Sequence, residues 1–244
     1  MKIIVTGGVG FVGTNLIKKL LSDGHDVVSL DNYSTGKKEN EQDGCKYIDV
    51  DVSDSLRRHK AFGLETYQLE KPDLIFHLAA LARIQPSLKK PASTISNNFM
   101  GTLNVLDYAR ENDVPVVYAG SSTFHHGLWG SPYAWSKHSG EQLCKLYSTV
   151  YNLPTSICRF YNVYGKHQLE DGAYATVVGI FEKQFREGRP LTITGDGKQR
   201  RDFTHIEDIV DALIKLGQSL LSEDNSNVSG ETFELGRGKN FSIN

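Results

Sequence analysis

Eight residues near the start, Thr6-Gly7-Gly8-Val9-Gly10-Phe11-Val12-Gly13, constrain this chain more than any others. They follow an apolar, β-type run, Lys2–Thr6, and open a helical pattern, Phe11–Leu21. Two glycine spacings are met together, Gly7-x-x-Gly10-x-x-Gly13 and Gly8-x-Gly10-x-x-Gly13. Such a turn needs glycine because it is tight, because its backbone must approach a pyrophosphate, and because the helix must pack close to the sheet. The first amides of the helix then face the anion. A purely structural turn would use the same glycines but would not need Asp31, eighteen residues past Gly13 at the end of the next strand. A carboxylate there can hold the ribose hydroxyls of NAD and would repel the 2′-phosphate of NADP. No arginine follows it directly, so NAD is the expected cofactor.

Short β-rich runs alternate with helical patterns through the first two thirds of the chain. The strands are expected at Lys2–Thr6, Asp26–Leu30, Lys46–Val50, Asp73–Leu78, Pro115–Ala119 and Thr155–Phe160. Helices are expected at Phe11–Leu21, Ser53–Leu69, Pro91–Asn112 and Pro132–Tyr151. This alternation predicts βαβ units, and right-handed crossovers place helices on both faces of a parallel sheet. The fold class is therefore α/β, a Rossmann-type doubly wound parallel sheet with a small, truncated C-terminal substrate lobe. Residues 1–160 form the NAD-binding domain, with 203–236 packing back on it. Residues 161–202 and 237–244 form the partial lobe. Past Phe160 a helix is expected near Ala173–Arg186, a strand near Leu191–Thr194, a helix near Glu207–Leu220 and a last strand at Thr232–Gly236.

Composition narrows the function. The 244 residues are 39% hydrophobic with a net charge of −2, an ordinary globular balance that points to neither nucleic acid nor an anionic membrane. The three cysteines show no metal-ligand spacing, and no apolar run approaches the ~20 residues of a membrane span. No metal is expected. With no leader visible at the N-terminus, the cytoplasm is the expected compartment.

Tyr133-Ala-Trp-Ser-Lys137 puts a phenol and an ammonium on one helix face. A nearby cation lowers a phenol's pKa, so Tyr133 can serve as a general base. Tyr33…Lys37 and Tyr67…Lys71 share the spacing, but only Tyr133 follows a strand end rich in hydroxyls, Ser121, Ser122 and Thr123. Strand carboxyl ends are where an open α/β sheet binds its ligands. Ser122 is expected to hydrogen-bond both the phenol and the substrate, with Thr123 beside it. Asp51-Val52 follows the third strand, where Asp51 is either an acceptor for the adenine amine or a helix N-cap with Ser53 or Asp54.

With these residues in hand, the chain resembles the extended short-chain dehydrogenase/reductases, specifically the nucleotide-sugar epimerases and dehydratases. The stretches that carry the resemblance are Val5–Gly13, Phe76-His77-Leu78-Ala79-Ala80, Asn98–Thr102, Ser131–Lys137, Arg159–Gly165 and Gly195–Phe203. The resemblance implies that Gly7, Gly10, Phe11, Val12, Gly13, Asp31, Asn32, Asp51, Val52, Leu78, Ala79, Ala80, Asn98, Tyr133, Lys137 and Phe160 line the NAD site. It implies that Arg83, Ser122, Tyr133, Asn162 and Arg201 bind the substrate, Arg201 pairing with phosphates. Read without it, Asn162 is a turn residue and Arg201 part of a solvated cluster with Lys198 and Arg200.

Members of this family begin alike: the tyrosine takes a hydroxyl proton and the sugar carbon gives a hydride to NAD. Family dehydratases carry an acidic pair after the catalytic Ser or Thr, and decarboxylating relatives a Glu. Here Thr123 and Phe124 follow Ser122. The resemblance therefore implies 4-epimerisation of a UDP-hexose, as in UDP-glucose 4-epimerases. The alternatives are a dehydratase, decarboxylase or reductase on the same scaffold, or a non-enzymatic NAD-binding protein. Three departures mark this chain. Only eleven positions separate Ser122 from Tyr133, a shortened loop. His125-His126 replace a Val-Tyr pair, either as extra acid–base groups or as loop filler. Relatives continue past position 244 for several dozen residues. The family also implies a homodimer through the helices at Pro91–Asn112 and Pro132–Tyr151, where Leu103, Leu106, Leu143 and Leu146 could serve the dimer or simply cover the sheet.

Overall fold

The computed structural model describes residues 1–54 and 70–244. The first half runs β1 (Lys2–Thr6), α1 (Phe11–Ser22), β2 (Asp26–Asp31), β3 (Lys46–Asp49), β4 (Leu74–His77), α2 (Ile84–Lys89), α3 (Pro91–Ile95), α4 (Gly101–Glu111) and β5 (Val116–Ser121). The second runs α5 (Pro132–Tyr151), β6 (Thr155–Phe160), β7 (Asn162–Tyr164), α6 (Val177–Arg186), β8 (Arg200–Arg201), β9 (Phe203–His205), α7 (Ile206–Leu220), β10 (Thr232–Leu235) and β11 (Phe241–Ser242).

The main sheet is parallel throughout, in the order β10-β6-β5-β4-β1-β2-β3. This is the Rossmann-type order, and the order of strands reverses between β1 and β4. The central strands β1, β4, β5 and β6 are buried on both faces, which is why β1 reads Lys-Ile-Ile-Val-Thr without polar alternation. One apolar layer lies under α4 and α5, around Val105, Leu106, Tyr118, Cys144 and Ile157. The other lies under α1 and α7, around Leu16, Ile17, Phe76, Ile206, Ile209 and Leu213. β10 adds to the far edge by pairing with β6, so the chain returns from the lobe to the sheet. Two small pairs, β7·β9 and β8·β11, build the lobe.

Three local expectations need correction. The helix expected at Pro91–Asn112 is interrupted by a π-helical turn, Ser96–Met100. The strand expected at Leu191–Thr194 does not form. Leu191 and Ile193 alternate like a strand but are exposed, and the Thr192 backbone N–H donates to Gln184 Oε1 (3.1 Å) instead of a ladder. The helix expected from Ala173 begins at Val177, because Thr176 caps it by accepting from Gly179 N–H. The expected helix Ser53–Leu69 lies outside the described residues from position 55 onward.

Candidate active site

The reversal between β1 and β4 opens a crevice at the carboxyl ends of the strands. Gly7 (φ +75°) turns there, and a Cβ on it would lie 2.8 Å from Ala79 N. A Cβ on Gly13 would lie 2.2 Å from the Gly7 carbonyl oxygen. The turn therefore admits no side chain at either position. Gly10 caps α1 without a side-chain hydrogen bond, and no acid sits in the first turn, so the amides there suit an anion. The cleft beside it is lined by Gly7, Gly10, Asp31, Asn32, Asp51, Val52, Leu78, Ala79 and Ala80, all expected from the sequence. It is also lined by Leu30, Ser34, Thr35, Gly36, Val50 and Asn97, which sequence reasoning missed. The Asn32–Gly36 segment gives little periodic signal, but a Cβ on Gly36 would meet Val9 Cγ2 at 2.5 Å, which marks how closely this loop covers the turn.

Asp31 ties the crevice together. Its carboxylate accepts from Val9 N–H (3.0 Å) and Tyr33 N–H (2.9 Å), while burial pushes its pKa up against those bonds. No lysine or arginine lines the cleft among the described residues, which fits NAD and leaves a 2′-phosphate without a partner. Asp51 caps its own turn, accepting from Ser53 N–H (2.8 Å) and Ser53 Oγ–H (2.6 Å). It also accepts from Asn32 Nδ2 (2.8 Å), and these hydrogen bonds hold its pKa low. Phe11, Val12 and Phe160 pack instead against the apolar layer under α1 and α7. Replacing Gly13 with Ala should abolish NAD retention in the purified protein, read from its absorbance after heat release. Retained NAD would show that the turn relaxes around a methyl group.

The second half of the site grows from α5. Ser131 caps the helix by accepting from Ala134 N–H (3.1 Å), and Pro132 takes the first position, where no N–H is needed. Tyr133 and Lys137 follow within the first turns. The expected partner of the phenol was Ser122, but the bond goes to Ser121. Tyr133 Oη donates to Ser121 Oγ at 3.5 Å, and Thr123 donates to the same oxygen through N–H (3.3 Å) and Oγ1–H (3.0 Å). The reason is where the strand ends: β5 runs two residues beyond the expected Ala119, to Ser121, and Ser122 opens a 3-10 turn.

The electrostatics also differ from expectation. Burial raises the phenol of Tyr133, opposed by the Ser121 bond and the charge of Arg83. The buried Lys137 ammonium lies 4.2 Å from the centroid of the Tyr118 ring, and burial pulls its pKa down to about 8. Arg83 supplies a positive charge that opposes the effect of burial on Tyr133.

A buried chain of hydrogen bonds joins the two halves. Thr6 Oγ1 accepts from Leu78 and Ala79 N–H (both 3.1 Å) and lies 2.7 Å from His77 Nδ1. Thr102 Oγ1 donates to the Asn98 carbonyl (2.8 Å) and so accepts from His77 Nε2 (3.1 Å). Burial keeps His77 neutral, with a pKa lowered to about 3, which this tautomer requires. Asn98 then receives Leu81 N–H on Oδ1 (2.8 Å) and donates to Ser136 Oγ (3.0 Å), which donates to the Tyr133 carbonyl (3.0 Å). His77 was legible only as part of a motif.

Glu141, one turn past Lys137, sets the serine. Its carboxylate accepts from Arg159 Nε (3.1 Å to each oxygen) and Nη2 (2.7 Å), and from Ser121 N–H (3.4 Å). Arg159 Nη1 continues to Glu234 on β10 (2.8 Å), and its guanidinium lies 3.6 Å from the Phe124 ring centroid. His125 also reaches Glu234 (2.9 Å), so the shortened loop is pinned to the sheet edge. Asn162 Nδ2 donates to the Asp202 carbonyl (3.1 Å), and Arg201 is exposed with Nη1 on the Arg200 carbonyl (2.8 Å). Among the described residues, no hydrogen bond joins Arg201 to the Tyr133 cluster.

Residues 3–236 match the NAD dependent epimerase/dehydratase family. The chain belongs to that family. Its members take NAD, the cofactor that the glycine cradle and Asp31 fit. The family member UDP-glucose 4-epimerase of Mycolicibacterium smegmatis is 34% identical over 237 residues, covering 89% of this chain and 73% of its own. UDP-N-acetyl-alpha-D-glucosaminuronate decarboxylase of Bacillus cytotoxicus is 30% identical over 248 residues, covering 93% and 74%. The crystal structure of UDP-glucose 4-epimerase from Thermotoga maritima with UDP-glucose superposes with a TM-score of 0.87 at 28% identity, over 100% of this chain and 79% of that one. The family thus supplies both epimerases and decarboxylases as relatives of this chain.

Proposed function

We propose that this member of the epimerase/dehydratase family inverts C4 of a UDP-linked hexose. The observation that carries the reading is the Tyr133–Ser121 contact at the strand ends, followed by Thr123 and Phe124 and by no carboxylate. Tyr133, as its phenolate, takes the proton from the C4 hydroxyl and returns it to the C4 oxygen after the sugar has turned over, the Arg83 charge opposing the burial that raises the phenol. Ser121 accepts from the phenol oxygen and is itself held by Thr123, while Lys137 and Asn98 are proposed to contact the cofactor. The glycine cradle and Asp31 would hold NAD, which would supply reversible hydride exchange with C4. Asn162 and Arg201 are proposed for the sugar diphosphate, with Ser122 beside the sugar.

Proton NMR of the anomeric region, with UDP-glucose and UDP-galactose as substrates, tests this. Appearance of the C4 epimer is the expected result. A 4-keto-6-deoxy product would replace the reading by a dehydratase, and loss of carbon dioxide from a uronate by a decarboxylase. We further propose a homodimer and a cytoplasmic location. Leu106 is buried under the sheet and Leu103 and Leu143 pack against it, whereas Leu146, Val150 and Tyr151 on α5 are about half exposed and available to a second copy. The three cysteines are free thiols, as a reducing compartment allows, and no helix among the described residues is long and apolar enough to cross a membrane.

A further inference from the structure

Among the described residues, Arg83 is a charged side chain without a charged partner. It stands between β4 and α2, and its Nε and Nη2 both donate to one backbone carbonyl, that of Tyr174, at 3.0 and 2.9 Å. Among the described residues no carboxylate pairs with it and no acceptor meets its Nη1. A half-buried guanidinium served by a single neutral oxygen is incompletely compensated. Its position is not loose. Leu81, two residues earlier, is held by Asn98 through N–H and carbonyl, and Asn98 is tied through Ser136 to the turn that carries Tyr133. Arg83 and Tyr133 lie close enough for each charge to act on the other.

The chemistry that completes such a group is a planar anion that takes two N–H donors, and a carboxylate matches it. If Tyr133 meets the C4 hydroxyl, as the proposed function has it, the neighbouring carbons are C3 and C5, and C5 carries C6. The diphosphate hangs on C1, across the ring. We propose that Arg83 reads a carboxylate at C6, so that the substrates of this site are UDP-linked hexuronic acids in preference to neutral hexoses. The carboxylate would replace the Tyr174 carbonyl on the guanidinium in at least one of the two orientations that inversion at C4 requires. This inference rests on the C4 assignment for its geometry but not for its test.

The test is calorimetric titration of the NAD-loaded protein with UDP, UDP-glucose and UDP-glucuronate, in wild type, Arg83→Gln and Arg83→Lys. Wild type should bind UDP-glucuronate about 10- to 100-fold more tightly than UDP-glucose, the range of a charge-assisted hydrogen-bonded pair. Arg83→Gln should erase that preference and leave UDP and UDP-glucose within about threefold of wild type; Arg83→Lys should keep part of it. Equal binding of the two sugars by wild type, or a preference that survives in Arg83→Gln, would overturn the proposal. So would an equal loss for all three ligands, which would place Arg83 on the diphosphate. If Arg83→Gln loses its NAD, the Lys variant carries the comparison. An Arg83-dependent preference without any C4 epimer when UDP-glucuronate is the substrate in the NMR experiment would strike the epimerase reading alone.

Discussion

Tyr133→Phe is expected to lower turnover by about 10²- to 10⁴-fold, the usual share of a positioned general acid–base group. The change removes one oxygen and keeps the ring, so helix α5 should fold as before. The phenol's described hydrogen bond is to Ser121, whose oxygen keeps both donors from Thr123. The cleft proposed for NAD is lined by residues of other elements, from Gly7 to Asn97. NAD content and nucleotide-sugar affinity should therefore stay within about threefold of wild type, and the loss should fall on kcat and kcat/KM alike, as for an interaction made only in the transition state. A fall below tenfold would move the proton-transfer role to another residue. His125 would be the next to examine, although its bond to Glu234 holds it at the sheet edge.

The second large effect is on stability. Glu141→Leu should destabilise the protein by about 3–5 kcal/mol, the cost of breaking a buried ion pair and leaving one charge behind. Glu141 is 1% exposed, and without it Arg159 keeps only the half-exposed Glu234 as an anion. Ser121 N–H also loses its acceptor at the strand end. The double variant Glu141→Leu/Arg159→Met should recover most of the loss, since apolar groups of similar volume often replace a buried pair without penalty. Urea unfolding of the three proteins measures both claims. A single-variant cost below 1 kcal/mol would mean that Glu234 and the Phe124 ring suffice for Arg159. A double variant no better than the single would assign the cost to Ser121 and Gly120, which pack on the carboxylate.

The features legible in the sequence are those set by neighbours along the chain. Gly7, Gly10 and Gly13 are fixed by a local turn, Asp31 by the end of the strand that follows, and Tyr133 and Lys137 by helical spacing. The main sheet was legible for the same reason, because buried parallel strands are continuous apolar runs. The choice between Ser121 and Ser122 depends on where β5 ends, and strand ends carry no periodicity. The contact of Arg83 with Tyr174 joins positions 91 apart, and no local pattern encodes it. The lobe strands Asn162–Tyr164 and Arg200–Arg201 are two or three residues long, too short to alternate. Leu191 and Ile193 do alternate, and mislead, because exposed side chains beside an unpaired backbone can alternate without a sheet to receive them.

The π-helical turn at Ser96–Met100 has a consequence for how this chain tolerates change in length. A π turn closes each ring with one more residue than an α turn. The helical segment from Pro91 to Glu111 therefore holds two stretches whose faces are out of step. Val105 and Leu106 are aimed at the sheet, while Asn97 reaches the cofactor cleft and Asn98 reaches Leu81 and Ser136. A uniform α-helix would turn either the apolar pair or the asparagine pair away by roughly 100°. Here the number of residues is itself part of the specification: a substitution at most positions of this segment alters one contact, whereas the gain or loss of one residue rephases everything on one side of it.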